Sequence, residues 1–379
     1  MRAASVSDYR ELARRRLPNI FFEYIDGGSY AEATLKRNVT DLEAIALRQR
    51  VMRDMTKLDM TVQTLGQTLA MPVGLAPVGM GGMFGRRGEI QASKAATANG
   101  VPFCLSTVGV CSIEEVAAAG TPPWFQLYML KDRGYMRELI GRAKEAGCPV
   151  LVFTVDLPIP GSRYRDIRSG FTGSSGPWAA LRQAVDGLMH PAWMWDVWTH
   201  GRPHSLGSVT GALQTGQKIT DYMAWLARNF DRSVTWADLD WVRETWDRPI
   251  VVKGVLDPAD AKDAVKAGAQ GLVVSNHGGR QLDGVRSSIT ALPRIVDAVG
   301  GELEVYMDGG VRSGLDVLKA LSLGARACFI GRPWAYALAA GGEAQIARML
   351  GTLRAELAVA MILTGCTSVS EAGRDLLDA

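Results

Sequence analysis

From residue 72 onward, short apolar runs alternate with longer stretches in which apolar positions recur every three to four residues. Eight runs read as buried strands: 72–76, 102–106, 124–128, 149–156, 249–254, 271–276, 304–308 and 327–331. Most are continuously apolar, as in a parallel sheet covered on both faces. Between them the helical period holds over 89–99, 112–119, 132–146, 235–245, 258–267, 288–299 and 314–323, and a last helix starts near Trp334. Helix ends are punctuated as expected: Asp257 and Pro258 open one helix, Gly268 follows its end, and Gly324 follows another. Eight strand and helix units predict an α/β chain folded as a (β/α)₈ TIM barrel over 71–379. A doubly wound sheet is the alternative, but it calls for G-x-G-x-x-G after the first strand. Gly79, Gly81, Gly82 and Gly85 miss that spacing.

Residues 1–70 read as an N-terminal extension to the barrel, the whole forming one domain. A helical pattern from Ser7 and Asp8 is interrupted by Pro18, a second over 20–24 runs into Asp26, Gly27 and Gly28, and 60–69 has the alternation of a hairpin around Gly66. One connection is oversized: an insertion over about 157–234 separates the fourth strand from its helix. It holds Trp178, Trp193, Trp195, Trp198 and Trp225, five of the ten tryptophans. Such a cluster suits a patch at a membrane interface, where indoles settle at headgroup depth. A lid or an oligomer contact packed within protein is the other reading.

Composition narrows the class further. With 379 residues, 47% of them hydrophobic, the chain can bury a large core. Lys and Arg number 42 against 39 Asp and Glu, and the net charge of +3 supplies no field suited to nucleic acid. Five cysteines without C-x-x-C imply reduced thiols, no metal centre and no attached haem. The first ten residues lack an apolar segment and no run of 18 apolar residues occurs, so neither export nor a membrane span is expected.

In such a barrel the active site is built where the strands end. The polar residues there are Ser106 with Thr107, Gln126, Tyr128, Thr154, Asp156, Lys253, Asn276 with His277, Asp308 and Arg332. Buried Lys253 and Asp156 are costly unless they meet a charged or hydrogen-bonding ligand; a structural salt bridge is the bland account of each. Beyond the sixth strand, S-N-H-G-G-R-Q-L-D-G sets the imidazole of His277 three residues from the guanidinium of Arg280. Gly278 and Gly279 between them let the backbone approach a ligand closely. A base beside an anion clamp suits a small carboxylic acid. D-G-G-V-R at 308–312 and I-G-R at 330–332 follow the last two strands, where barrels commonly hold phosphate. A phosphorylated sugar fits that feature alone. Gln126, Thr154, Ser106 and Lys253 beside it favour flavin mononucleotide.

The stretch at 275–284 closely resembles the active-site motif of the FMN-dependent 2-hydroxy-acid dehydrogenases and oxidases. The likeness covers nearly the whole chain: D-Y-R from Asp8, F-x-Y-x-D-G-G from Phe22, A-P-V-G from Ala76, W-F-Q-L-Y from Trp124, F-T-V-D from Phe153 and K-G at Lys253. Within the family it is most similar to the respiratory L-lactate branch, through N-V-T-D-L-E from Asn38, R-R-G-E from Arg86, P-G-S-R-Y-R-D from Pro160 and G-R-P-H from Gly201. The mandelate branch is the nearest relative to exclude. The resemblance implies that His277 takes a proton from substrate, with Asp156 stabilising its imidazolium. It implies that Arg163 and Arg280 hold the substrate carboxylate and that Tyr24 and Tyr128 bond its oxygens. It places Lys253 beside flavin N1 and O2, Ser106, Gln126 and Thr154 around the ring, and Pro77, Val78 and Gly79 over its face. Asp308, Gly309, Gly310, Arg312, Gly331 and Arg332 take the ribityl and phosphate. Gly79 stands where oxidases of the family tend to carry alanine, which leans toward a dehydrogenase. The resemblance further implies L-lactate as substrate, a quinone or other respiratory-chain acceptor, peripheral attachment through the insertion to the cytoplasmic face of the inner membrane, and a homotetramer.

Overall fold

The computed structural model describes residues 3–172, 176–212 and 228–378. Eight strands form its centre: β1 (Val73–Leu75), β2 (Cys104–Ser106), β3 (Trp124–Tyr128), β4 (Leu151–Thr154), β5 (Ile250–Val255), β6 (Gly271–Val274), β7 (Glu304–Asp308) and β8 (Cys328–Ile330). Neighbours pair in parallel from β2 round to β8 and on to β1, and a parallel bridge between Leu75 and Phe103 joins β1 to the start of β2. The sheet closes as a barrel, which removes the doubly wound alternative. β3 and β7 match the predicted runs, β5 runs one residue past its predicted end, and the other five fall short by one or two residues at one or both ends, where the chain is already loop.

Alternation along each strand sorts the barrel interior into levels. Trp124, Val152, Val251, Val273, Tyr306 and Phe329 form one buried cluster inside. Two residues further along the same face come Gln126, Thr154, Lys253, Ser275, Asp308 and Gly331. The interior is therefore apolar low down and polar at the strand ends. The hairpin Val62–Thr64 and Gln67–Leu69 closes the bottom. The Thr64 hydroxyl lies 2.5 Å from that of Tyr306, Leu65 N–H donates to Glu304 at 3.1 Å, and the Trp124 indole donates to Gln67 at 3.3 Å.

Three helices of the extension wrap the other end: Val6–Arg16, Asn19–Asp26 and Ala33–Glu43. Ser5 and Asp8 form a capping box at the first, which packs on helix Arg332–Gly341. The third falls where the sequence pattern named no helix. At the C-terminus the expected last helix is two, Arg332–Gly341 and Glu343–Thr364, because Gly342 at φ +74° breaks the run.

The insertion carries helices Tyr164–Ser169 and Pro177–Leu188, then the turns Pro191–Trp193 and Met194–Thr199. Its tryptophans divide. Trp193 is buried, donating its indole N–H to Met83 O at 2.8 Å with its ring 5.3 Å from that of Phe21. Trp178, Trp195 and Trp198 are exposed. Trp178, Leu181, Val185 and Leu188 recur at helical spacing on one exposed face, and Met189 follows, also exposed. Trp225 lies outside the described residues. Among the described residues no helix is long and apolar enough to cross a membrane.

Candidate active site

Where β6 ends, three successive residues take the left-handed conformation: His277 at φ +57°, Gly278 at +64° and Gly279 at +72°. Glycine adopts it freely, whereas a histidine there costs roughly 1–2 kcal/mol. Two bonds pin the turn: His277 N–H donates to Ser275 Oγ at 3.0 Å and Gly279 N–H to Asn276 Oδ1 at 3.0 Å. The turn aims the imidazole across the barrel mouth, where Nδ1–H donates to Asp156 Oδ1 at 2.9 Å. Asp156 stands two residues beyond β4, and room for it comes from β5. Gly254 there has φ +112°, and a Cβ would lie 2.6 Å from both Asp156 Cβ and Cγ. The Lys-Gly pair is thus a lysine at a strand end followed by the space that a carboxylate occupies.

Electrostatics support a neutral imidazole next to a carboxylate. Burial, helped by the charge of Lys253, moves His277 below its ordinary value against the upward pull of Asp156. Burial acts to raise Asp156, but His277 and Lys253 hold it below the ordinary carboxylate range. Burial likewise acts to lower Lys253, yet Asp308 and Asp156 keep its ammonium above the usual value. Its Nζ lies 3.1 Å from Asp308 Oδ2 and 3.1 Å from Ser275 Oγ.

The opposite wall is cationic. Arg280 donates from Nη1 to Tyr24 O at 2.6 Å and Gly27 O at 2.8 Å, and its guanidinium lies 4.9 Å from the centre of the Tyr24 ring. Arg163 donates to Arg280 O at 3.3 Å and sits 3.6 Å from Asp166. Burial and the charge of Arg280 both act against the Arg163 cation. Two adjacent, partly buried guanidiniums with the Asp166 carboxylate nearby form a site that an anion would stabilise. Tyr24 packs on Phe171 and Tyr128 on Phe230, with ring centres 4.7 and 5.4 Å apart. Burial raises the Tyr128 phenol well above its ordinary value, so it is a hydrogen-bond donor at neutral pH.

A cavity of about 1130 Å³, counted to its open mouth, joins these walls to the ends of β1, β7 and β8. Pro77, Val78 and Gly79 line it on one side, Gly309, Gly310, Arg312 and Gly331 on another. Gly309 and Gly310 have φ near +90° and a Cβ on Gly310 would come within 2.0 Å of Asn38 O. Arg332, also lining the cavity, spends its side chain on carbonyls: Nε to Ile25 O at 2.9 Å, Nη1 to Gly278 O at 2.9 Å and Nη2 to Gly27 O at 2.8 Å. It ties the β6 turn to the extension and opens helix Arg332–Gly341, whose N-terminus adjoins the glycine pair of β7. Deeper, Ser106 Oγ donates to Gln126 Oε1 at 2.9 Å, while Gln126 Nε2 and Thr154 Oγ1 are buried without a partner among the described residues. Unpartnered buried donors above an apolar barrel core, a buried ammonium and a glycine cradle at a helix N-terminus fit a flavin ring with a phosphate tail.

Several residues of the site escaped the sequence reading. Asp26 is buried between Arg10, Arg165 and the Tyr336 hydroxyl, at 2.5, 2.8 and 2.7 Å. Arg165 also pairs with Glu23, so one charge network joins the segment carrying Tyr24 to the segment carrying Arg163. Glu89, fully buried, accepts Val110 N–H at 2.8 Å and secures the loop beyond β2. Their signals were present in F-x-Y-x-D-G-G, P-G-S-R-Y-R-D and R-R-G-E, but spacing alone assigns them no partner.

The family model for the FMN-dependent dehydrogenases matches residues 13–379. The chain belongs to that family. It is 57% identical over 375 residues to the L-lactate dehydrogenase of Xanthomonas campestris pv. campestris (strain 8004), covering 99% of this chain and 96% of that one. It is 57% identical over 372 residues to the L-lactate dehydrogenase of Pseudomonas aeruginosa (strain LESB58), covering 98% and 97%. Among solved structures, the monotopic membrane protein (S)-mandelate dehydrogenase superposes with a TM-score of 0.92 at 32% identity, covering 100% of both chains. Mandelate oxidase superposes with a TM-score of 0.84 at 39% identity, over 100% of this chain and 98% of that one. As a member of this family the protein is an FMN-dependent dehydrogenase of 2-hydroxy acids on a TIM barrel.

Proposed function

We propose that the protein oxidises L-lactate to pyruvate and passes the electrons to a quinone of a respiratory chain. The observation that carries the chemistry is the His277–Asp156 pair beside a cavity lined by two partly buried guanidiniums, Arg163 and Arg280. Arg163 and Arg280 bind the substrate carboxylate, and the Tyr24 and Tyr128 hydroxyls bond its oxygens. His277, neutral when substrate arrives, removes a proton, and Asp156 stabilises the imidazolium that results. Two electrons and a second hydrogen leave the substrate carbon, whose carbonyl is formed. FMN supplies the two-electron acceptor chemistry. Gln126, Thr154 and Ser106 would hold its ring, Lys253 would supply a positive charge beside it, and Pro77, Val78 and Gly79 would pack on it. Asp308, Gly309, Gly310, Arg312, Gly331 and Arg332 take ribityl and phosphate, Arg332 through its main chain.

Lactate is favoured over mandelate because the lactate relatives share 57% of residues where the mandelate dehydrogenase structure shares 32%. The stripe of Trp178, Leu181, Val185 and Leu188 favours peripheral attachment through the insertion to the cytoplasmic face of the inner membrane. The solved monotopic relative supports the same reading. The protein works as a single 1–379 domain assembled into a tetramer. Mixing the yellow protein anaerobically with L-lactate, glycolate or (S)-mandelate and following flavin bleaching near ~450 nm tests the assignment. L-Lactate should bleach fastest and His277→Gln should abolish bleaching while retaining flavin. Turnover by that variant would remove His277 from the role of base, and faster bleaching by mandelate would overturn the substrate.

A further inference from the structure

The helix Ala33–Glu43 has an unusual inner face. Thr34, Asn38 and Asp41 fall at helical spacing on the side turned to the barrel, and exposed Arg37 lies beside them. Each is bonded to the loop that follows β6. Asp283 accepts Thr34 N–H at 2.7 Å and Ala33 N–H at 3.2 Å, and Thr34 Oγ1 accepts Gly284 N–H at 2.8 Å. Arg37 donates to Val285 O at 2.8 Å, and Asp41 accepts the Ser287 hydroxyl at 2.6 Å. Asn38 sits at the centre, fully buried. Its amide donates to Asn276 Oδ1 at 2.8 Å, and it accepts from Asn276 Nδ2 at 2.7 Å and from Ser288 N–H at 3.2 Å.

We infer that Asn38, on the N-terminal extension, is a positioning residue for the catalytic base, fixing the turn that carries His277 and linking it to the glycine cradle beyond β7. The inference rests on the reading of His277 as base. The path is short. Asn276 precedes His277 and also accepts Gly279 N–H, so the reciprocal amide pair holds both ends of the left-handed turn. Asn38 O lies against Gly310, within 2.0 Å of where a Cβ would be, and Gly279 meets Leu35 N at 2.6 Å in the same sense. One helix thus contacts the base turn and the phosphate loop together. Reversing either amide would set donor against donor, and reversing both would turn the NH₂ groups toward Gly279 N–H and Ser288 N–H, so the pair has one geometry. The strained φ of His277 persists because these bonds over-determine it.

The test is anaerobic single-turnover reduction of flavin-loaded Asn38→Ala by L-lactate. A displacement of about 1 Å in a catalytic group can cost 10²-fold, so the limiting rate should fall about 10- to 100-fold. Half-saturation by lactate should stay within about twofold, because Arg163, Arg280 and the tyrosines are untouched. A purely structural role would lower flavin content or Tm and leave the limiting rate per bound flavin as it was; that result overturns the proposal. Should Asn38→Ala not fold with flavin, Asn38→Asp keeps the size and the acceptor while losing the donor to Asn276, and is read the same way. Asn38→Ala combined with Asn276→Ala should lose little more than either alone, and additive losses would count against the pair. If His277→Gln is inactive and Asn38 variants are normal, only the positioning role fails. If His277→Gln turns over, the base assignment fails first.

Discussion

Gly254→Ala should disable the site without touching any group that bonds substrate. The new Cβ would sit 2.6 Å from Asp156 Cβ and Cγ and 2.8 Å from Oδ2, at a backbone φ of +112°. The backbone strain is worth about 1–3 kcal/mol and the overpacking about 1–3 kcal/mol, or roughly 2–6 kcal/mol against a typical total stability of 5–15. The contact is with the stem of a short side chain, so relief requires Asp156 itself to move. A shift of about 1 Å breaks its 2.9 Å bond to His277 and should slow flavin reduction about 100-fold, equivalent to roughly 2.7 kcal/mol of barrier. Stopped-flow reduction by L-lactate, with a melting curve on the same sample, measures both effects. A variant that reduces at the parent rate with an unchanged Tm would refute the claim that Gly254 makes room for the carboxylate.

Two further outcomes follow from the electrostatics and the surface. Although burial acts to raise Asp26, bonds from Arg10 and Tyr336 and the charges of Arg10 and Arg165 hold it far below the ordinary range. Its stabilisation is therefore full above its unfolded value of about 4 and is lost as pH falls through the folded one. Asp26→Asn should cost roughly 2 kcal/mol at pH 7, moderated because Arg10 is half exposed, and should flatten the loss of urea stability below pH 4; an identical acid profile would contradict it. Leu181→Glu with Val185→Glu removes two aliphatic side chains from the exposed stripe, each worth about 1.5–3 kcal/mol on burial, so binding to vesicles containing one part in three of phosphatidylglycerol should weaken at least about 100-fold. Flavin reduction in buffer should be unchanged, and undiminished vesicle binding would remove the stripe from the membrane contact.

The barrel was legible because a parallel sheet buried on both faces leaves continuous apolar runs, and five of the eight runs ended on a polar residue: Ser106, Tyr128, Asp156, Asn276 and Asp308. The chemistry-bearing groups at those ends needed only the barrel rule to be gathered. What stayed hidden was everything set by contacts between distant segments. Asn38 lies on a helix whose polar stripe faces inward, so hydrophobic periodicity pointed to no helix at all. Arg332 looked like a phosphate ligand by position, yet its side chain is committed to carbonyls of the extension and the β6 turn. The tryptophans of the insertion looked alike in sequence, and only packing separates buried Trp193 from exposed Trp178, Trp195 and Trp198.

The hairpin across the barrel floor bears on where protons go. Thr64, Leu65 and Gln67 bond to Tyr306, Glu304 and Trp124, and the apolar level above them is packed with large side chains. Among the described residues, that stack fills the barrel axis between the floor and the polar level at the strand ends. On the proposed reading, the proton that His277 takes leaves through the cavity mouth, the same opening through which substrate enters and product departs.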